Sequence, residues 1–249
     1  MENNLLAFAP DIIINAAAYT AVDKAEQDQE SANAINHLGA EYLARIAQKL
    51  NAVFIHVSTD YVFDGNSAVP YVETDKPNPQ SVYGKTKLDG ESAIAQHCTK
   101  HIILRTAWVF AEHGNNFVKT MLRLALSRPE LGVVADQIGG PTYAGDIADA
   151  ILNIISQLNS QNEDRWGVYH FSGEPYVSWH SFAECIFEEA FNQSLLMTQP
   201  ILNAITTEQY PTPAKRPAYS MLDCQKIHVA FNIEPSNWRA ALNNLTLYK

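Results

Sequence analysis

A tyrosine and a lysine four residues apart are the first side chains in this sequence that could do chemistry together. Tyr83 and Lys87 stand in the run "YGKTK" at residues 83–87. On a helix, positions i and i+4 lie on one face, so both side chains can point into one site. We expect the neighbouring ammonium to favour the phenolate and to lower the pKa of Tyr83 from about 10 towards neutral pH. Tyr83 could then pass a proton to or from a carbonyl oxygen.

A threonine stands shortly before this pair, at the end of an apolar run. Residues 52–58 read "AVFIHVS", which is typical of a buried strand, and Thr59 follows directly. Open α/β sheets bind ligands at the carboxyl ends of their strands, so the Thr59 hydroxyl could orient the oxygen that Tyr83 protonates. A lone Y-x-x-x-K is most often a surface helix by chance. Its place one strand-to-helix step after Thr59 favours catalysis.

The two aspartates beside this threonine have a simpler interpretation. Asp60 and Asp64 belong to "STDYVFDG" at residues 58–65, which ends in an Asp-Gly turn. Aspartate side chains commonly cap turns by accepting hydrogen bonds from nearby backbone N–H groups. We therefore assign no chemistry to either carboxylate from the sequence.

The elements that must position these residues alternate between strand and helix patterns. Short β-branched apolar runs predict strands, and apolar residues at helical spacing predict helices. The pattern predicts these elements in chain order: a strand at 11–15, a helix at 30–50, a strand at 52–58, a helix at 85–98 and a strand at 101–106. Such an order predicts right-handed βαβ units in an α/β, Rossmann-like, doubly wound parallel sheet. Further on, the Pro-rich stretch 210–222 predicts an extended, irregular path.

Composition and charge exclude several classes of protein. Hydrophobic residues make up 47% of the 249 residues and charged residues 18%, as in ordinary folded domains. A formal net charge of −10 argues against a general binder of nucleic acid or of anionic membranes. The start of the chain lacks a signal-peptide pattern, and no apolar run reaches transmembrane length.

The cysteines and histidines predict neither disulfides nor a metal site. Cys98, Cys185 and Cys224 lie far apart, and the eight histidines show no metal-binding spacing. A reducing cytoplasm is therefore the predicted location.

Ordered stretches along nearly the whole chain resemble one known family. They are "PDIIINAAAYTAVDKAE", "HVSTDYVFDG", "YGKTKLDGE", "LRTAWVF", "NNFVKTML", "VVADQIGGPTYAGDIA", "GVYHFSG", "VSWHSFAE" and "KRPAYSMLD". This text resembles the dTDP-4-dehydrorhamnose reductase family of the extended short-chain dehydrogenases/reductases. The resemblance implies a Thr-Tyr-Lys catalytic set carried by Thr59, Tyr83 and Lys87. It also implies that NADPH or NADH gives hydride to C4 of a dTDP-linked 4-keto sugar while Tyr83 gives the proton.

The resemblance also implies binding residues. Ala16, Ala17 and Tyr19 match a loop along the cofactor, where Tyr83 and Lys87 also contribute and Lys87 binds the nicotinamide ribose. Thr59 and Trp108 match residues beside the sugar, and Arg216 is a candidate for the substrate pyrophosphate, since a guanidinium suits bidentate phosphate contacts. Simple packing remains the alternative for Ala16, Ala17 and Trp108, and an exposed arginine without a ligand for Arg216.

The sequence shows no internal repeat, low-complexity tract or flexible linker, which predicts two interleaved parts with a soft boundary. Residues 1–130 are expected to form a partial, Rossmann-like NAD(P)-binding domain, and residues 131–249 mainly a smaller substrate-binding lobe.

One part of the family pattern is missing from this sequence. The family carries a G-x-x-G-x-x-G turn before the text that matches "PDIIINAAA", and no such cluster occurs here. We therefore expect a truncated member that lacks on the order of 50 residues, about two βα units, and that binds its cofactor more weakly. The strand at 11–15 is then expected to be an apolar edge, open to a homodimer partner or to strand addition.

Two alternatives to a reductase stay open at this level. The first is a non-catalytic binding or regulatory protein, like the beta subunit of methionine adenosyltransferase, which shares the fold and much of the motif text. The second is an inactive fragment.

Overall fold

A four-stranded parallel sheet lies at the centre of the protein, which we describe from a computed structural model over residues 2–158 and 165–248. In spatial order its strands are β1 (Ile12–Asn15), β2 (Val53–Thr59), β3 (His101–Thr106) and β8 (Gly167–His170). All neighbouring pairs are parallel, so the carboxyl ends of the strands share one edge. The predicted α/β class with a parallel sheet is confirmed.

The remaining strands form small sheets outside the central one. They pair as follows: β4 (Val109–Phe110) with β7 (Thr142–Tyr143), β5 (Glu130–Val134) with β10 (Ile201–Ile205), and β6 (Ile138–Gly139) with both β9 (Val177–Ser178) and β11 (Tyr219–Ser220). Since β8 comes from beyond residue 130 yet belongs to the central sheet, the two halves of the chain interleave. The domain division at residue 130 stays a prediction.

Helices pack on both faces of the central sheet. Their bounds are α1 (Glu2–Phe8), α2 (Val22–Ala25), α3 (Gln29–Asn33), α4 (Ala40–Leu50), α5 (Val82–His97), α6 (Phe117–Ala125), α7 (Ala144–Gln157), α8 (Trp179–Asn192), α9 (Gln225–Phe231) and α10 (Trp238–Ala241). A π-helical segment, Ala34–Gly39, joins α3 to α4, and 3-10 turns cover Asp60–Val62, Thr207–Gln209 and Leu242–Tyr248. In the part of the chain described, no helix is long and apolar enough to cross a membrane.

The strand side chains alternate between two cores. Phe54 of β2 and Ile103 of β3 pack with α4 and α5 on one face, whereas Ile55 and Ile102 pack with α7 and α9 on the other. Parallel strands covered on both faces read as continuous apolar runs, and this is why the sequence pattern located them. A separate core forms around α6, α8 and the C-terminal segments.

Each predicted strand and helix lies within a few residues of its expected place. The predicted helix at 30–50 is divided by the π-helical segment. Helix α5 begins at Val82, three residues earlier than predicted, because the Ser81 hydroxyl accepts a hydrogen bond from the Gly84 N–H at 3.1 Å and caps the first turn. The two-residue strands were not predicted, since they are too short to show a period.

Strand β1 is an edge strand among the residues described. It pairs with β2 alone, and the Ile14 side chain is 48% exposed. An apolar edge of this kind is the feature that natural sheets usually cover or break up. The partner expected from the sequence stays a prediction.

Helix α5 approaches the turn after β2 closely because residue 84 is glycine. A Cβ atom at Gly84 would lie 2.2 Å from the carbonyl oxygen of Tyr61. No side chain fits at that distance without moving the backbone. The glycine therefore sets how near the helix carrying Tyr83 and Lys87 lies to the strand carrying Thr59.

We expect Gly84→Ala to push α5 away from this turn and to lower the free energy of unfolding by about 1–3 kcal/mol, the usual cost of overpacking a core contact. Urea unfolding followed by circular dichroism measures the change. Lys85→Ala is the matched control, because Lys85 is exposed on the same helix. Equal stability of the two variants would contradict the role given to Gly84.

Candidate active site

Thr59, Tyr83 and Lys87 meet at the carboxyl end of β2. Thr59 is the last residue of that strand, and Tyr83 and Lys87 lie one turn apart on α5. The Tyr83 hydroxyl is hydrogen-bonded to the Thr59 side chain. Thr59 and Lys87 are buried, whereas Tyr83 is half-buried. The structure thus brings the three predicted catalytic residues together.

The predicted effect of Lys87 on Tyr83 is wrong. Burial raises the pKa of Tyr83 to about 12, and the hydrogen bond with Thr59 offsets only part of this. Lys87 is not among the causes of this shift, and its Nζ atom lies 2.7 Å from the Val57 carbonyl oxygen and 2.9 Å from His56 Nε2. Tyr83 is therefore protonated at neutral pH, which is the form that a proton donor requires.

Asp60 extends the site into a buried hydrogen-bond network. The Thr59 hydroxyl donates to Asp60 Oδ1 at 2.9 Å, and the Ser220 hydroxyl is also bonded to this carboxyl group. The Trp108 indole N–H donates to Ser220 Oγ at 3.1 Å. The second carboxyl oxygen, Oδ2, is buried and has no partner among the described residues. Burial raises the pKa of Asp60 to about 7, so its charge changes near neutral pH.

The sequence interpretation of both aspartates as turn-capping residues missed this role of Asp60, but it is supported for Asp64. Asp64 accepts hydrogen bonds from the Asn66 N–H at 3.1 Å, the Tyr71 hydroxyl at 2.9 Å and the Asn78 amide at 3.1 Å, as a turn residue does. The signal available for Asp60 was its position directly after Thr59 and a buried strand. No sequence pattern indicated that Ser220 joins it.

A buried ion pair anchors the middle of α5 to β3. Glu91 Oε2 lies 2.7 Å from Arg105 Nη2, and Ser58 donates a further hydrogen bond to the same carboxylate. Both charged side chains are only 4% exposed. Because an unpaired buried charge costs several kcal/mol, this pair fixes the helix against the sheet.

Trp108 stands beside the network but one of its faces is covered. Its indole stacks on Trp179 with ring centroids 3.5 Å apart and an interplanar angle of 7°. Gly139 lies against the same ring, where a Cβ would come within 2.5 Å of the indole. The indole is thereby fixed next to Ser220, and its contact with a sugar stays a prediction.

Arg216 lies near the site and is engaged by an acid. Its Nη2 atom lies 2.8 Å from Asp23 Oδ2, while its Nε is buried without a partner among the described residues. Arg216 interacts electrostatically with Tyr61, whose ring packs edge-on against Tyr83 at 5.5 Å. A guanidinium is thus placed close to the Tyr83 end of the site, and its pyrophosphate role stays a prediction.

The loop after β1 borders the same edge of the sheet. Ala16 and Ala17 are exposed, and the Ala17 N–H donates to Asn15 Oδ1 at 3.1 Å. The Tyr19 backbone is bonded to the Asn36 side chain, which also donates to Thr86 on α5. The predicted cofactor loop is therefore tied to the helix that carries Tyr83.

Stability should depend on pH through Asp60. Its pKa in the folded state, about 7, is above its ordinary value of 3.8, so the folded state binds the proton more tightly and loses stability as pH rises between these values. We expect Asp60→Asn to remove this loss. The free energy of unfolding of the variant, minus that of the unmodified protein, should therefore rise on the order of 2–3 kcal/mol from about pH 5 to about pH 8. Chemical denaturation at the two pH values measures it.

Asp64→Asn is the control for this prediction. Hydrogen bonds lower the pKa of Asp64, so its carboxylate is ionised throughout that pH range in both states. Its effect on the free energy of unfolding should be the same at both pH values. A pH-independent effect of Asp60→Asn as well would contradict the buried, proton-binding carboxyl group.

The parallel sheet, with a Tyr–Lys helix following a threonine-ended strand, defines a protein of the short-chain dehydrogenase/reductase class. Comparison with known proteins is more specific. Residues 1–247 match the family model described as the RmlD substrate binding domain. The chain therefore belongs to the RmlD family, that of the dTDP-4-dehydrorhamnose reductases, and the predicted resemblance is confirmed.

Individual relatives are similar to this protein over most of its sequence. A dTDP-4-dehydrorhamnose reductase of Aggregatibacter actinomycetemcomitans is 54% identical over 97% of this chain and 82% of the relative. That of Escherichia coli K12 is 45% identical over 95% of this chain and 79% of the relative. Among solved structures, a Bacillus anthracis dTDP-4-dehydrorhamnose reductase in complex with NADP is 35% identical, with a TM-score of 0.90 over 100% of this chain and 84% of that one.

Proposed function

We propose that this chain is an NADPH-dependent oxidoreductase that reduces dTDP-4-dehydro-L-rhamnose to dTDP-L-rhamnose. Family membership supports the reaction and the substrate. The observation that carries the mechanism is the Tyr83 hydroxyl, protonated at neutral pH and bonded to Thr59 at the carboxyl edge of the sheet.

The proton-donating half of the reaction belongs to Tyr83 and Thr59. The Thr59 hydroxyl hydrogen-bonds the ketone oxygen and orients it towards the phenol. Tyr83 then gives its proton to that oxygen as negative charge develops there. Thr59 has one hydrogen, and it is free for the ketone oxygen when Asp60 is protonated, because the Asp60 carboxyl group then donates to Thr59 Oγ1 across the same 2.9 Å and holds it in place.

The residues near Lys87 fit the nicotinamide riboside end of NADPH, which supplies the hydride. When Lys87 is charged and His56 Nε2 carries no hydrogen, two of the three ammonium hydrogens are donated to the Val57 carbonyl and to His56, so one remains for a ribose hydroxyl. Ala16 and Ala17 are small and exposed, which allows a ring to approach the end of β1 closely. These residues, with Tyr19 and Tyr83, would hold that part of the cofactor.

The dTDP-sugar side of the site is assigned to Trp108 and Arg216. The Arg216 Nε–H group is unpaired in the described part of the chain, and Nη2 would exchange Asp23 for a phosphate oxygen. A guanidinium can bind phosphate through two parallel hydrogen bonds, which suits the pyrophosphate. The network through Ser220 positions the Trp108 indole beside Thr59 and Asp60, where the sugar ring would lie.

The proposed location is the cytoplasm, and the proposed assembly is a homodimer or a complex with a strand-adding partner. The three cysteines are free thiols, which supports a reducing compartment such as the cytoplasm. The exposed β1 edge supports a homodimer or another strand-adding partner.

The test is Tyr83→Phe, which removes the donated proton but keeps the ring. We expect NADPH oxidation in the presence of dTDP-4-dehydro-L-rhamnose to fall by about 10²–10⁴-fold, the usual contribution of a general acid. Absorbance at the reduced nicotinamide band measures turnover. Binding of dTDP, measured by calorimetry, should be unchanged.

Tyr210→Phe is the matched control, because Tyr210 is an exposed tyrosine. It should leave turnover unchanged. Equal activity of Tyr83→Phe and Tyr210→Phe would refute the assignment of Tyr83. Ligand or partner binding without any turnover in the unmodified chain would favour the non-catalytic alternative.

A further inference from the structure

A buried hydrogen-bond chain runs from Lys87 to the loop after β1, and the mechanism above leaves most of it unused. We propose that His56 and Asn15 are positioning residues that couple the charge of Lys87 to the backbone of that loop. The proposal rests on the proposed function for its purpose, because the loop and Lys87 are both assigned to the nicotinamide end of the cofactor.

The chain crosses two neighbouring strands without a break. Lys87 Nζ lies 2.9 Å from His56 Nε2, and His56 Nδ1 lies 3.0 Å from Asn15 Nδ2. Asn15 Oδ1 in turn accepts the Ala17 N–H at 3.1 Å. The β1–β2 register places Asn15 directly opposite His56. Lys87, His56 and Asn15 are at most 5% exposed, so the protein itself must satisfy their polar groups.

Counting the hydrogens shows that this hydrogen-bond chain can have two arrangements of donors and acceptors. A neutral imidazole has one N–H and one acceptor nitrogen. When the Asn15 amide donates to Nδ1 while its Oδ1 accepts the Ala17 N–H, the His56 hydrogen lies on Nε2. Lys87 must then accept that hydrogen, which only an uncharged amine can do.

A charged Lys87 requires the opposite arrangement. The ammonium has hydrogens only, so it donates to Nε2 and the His56 hydrogen moves to Nδ1. That hydrogen needs an acceptor, and the Asn15 amide must rotate to present Oδ1. The Ala17 N–H then loses the acceptor that shapes the loop. The charge of Lys87 is therefore transmitted to Ala17 through one tautomer change and one amide rotation.

The surrounding charges allow both states of Lys87. Burial lowers its pKa to about 8, and Glu91 on the same helix raises it in part. Arg105 of β3 compensates the Glu91 charge. His56 stays neutral because burial and Lys87 hold its pKa well below the usual range. Asp60, in the turn packed on the first part of α5, acts on Tyr83.

Several charged groups on the helices packed against α5 have partners of their own. Glu41 of α4 is paired with Arg45 and lies near His37 and His97, and Glu26 after α2 accepts the Val82 N–H at the start of α5. In α2 and the residues after it, Lys24 lies 4.0 Å from Asp28. Lys87 and His56 are thus the pair whose proton distribution decides the arrangement.

The coupling is reciprocal by thermodynamic necessity. A ligand that binds the loop in one of its two forms favours the matching charge of Lys87, and the charge of Lys87 changes the affinity of the loop for that ligand. His56 and Asn15 thereby link the charge of Lys87 to the conformation of the loop after β1.

Nitrogen NMR of the ligand-free protein, labelled with ¹⁵N in its histidine rings and backbone, tests the proposal. Between about pH 6 and about pH 10, on either side of the Lys87 transition, the Nδ1 and Nε2 shifts of His56 should exchange. The hydrogen should lie on Nδ1 at low pH and on Nε2 at high pH. The Ala17 amide signal should move with the same midpoint.

Two variants give the controls. Lys87→Met should abolish the exchange, whereas Lys85→Met, at an exposed position of the same helix, should leave it unchanged. One His56 tautomer throughout the titration of the unmodified protein would overturn the proposal, even if Lys87→Met does not fold. So would an exchange that persists in a folded Lys87→Met. The measurement needs no turnover, so an inactive chain would refute the proposed function and leave this result to stand by itself.

Discussion

The burial of Lys87 is the constraint on which the rest of the site depends. An amine taken out of water costs several kcal/mol unless it finds partners, and here these are the Val57 carbonyl and His56, both on β2. This requirement fixes the rotation of α5 about its own axis and its distance from β2. Tyr83, one turn earlier, then lies over Thr59, and Gly84 allows the backbones to approach closely enough. The ion pair between Glu91 and Arg105 holds the next turns of the helix.

Burial also determines the charge states of the site. The same removal from water that lowers the pKa of Lys87 raises those of Tyr83 and Asp60. Tyr83 therefore keeps its proton until a substrate oxygen with developing negative charge takes it. Asp60 titrates near neutral pH at the other side of Thr59. A donor of this kind is prepared by its surroundings rather than by a neighbouring ammonium.

The sequence predicted the elements and the catalytic set because both have local signals. Apolar runs marked β2 and β3, and the i, i+4 spacing placed Tyr83 and Lys87 on one face of α5. The direction of the Tyr83 pKa was out of reach, since it depends on how completely the folded chain buries the phenol. So were contacts between distant residues: Trp108 meets Ser220 across 112 positions, and Arg216 meets Asp23 across 193. No local period encodes such pairs.

The most direct measurement is a crystal structure of the chain with NADP⁺ and dTDP-L-rhamnose. The account predicts that the sugar O4 lies within hydrogen-bonding distance of both the Tyr83 hydroxyl and the Thr59 hydroxyl. A bound sugar whose O4 contacts neither hydroxyl, or contacts Lys87 in place of Tyr83, would contradict it.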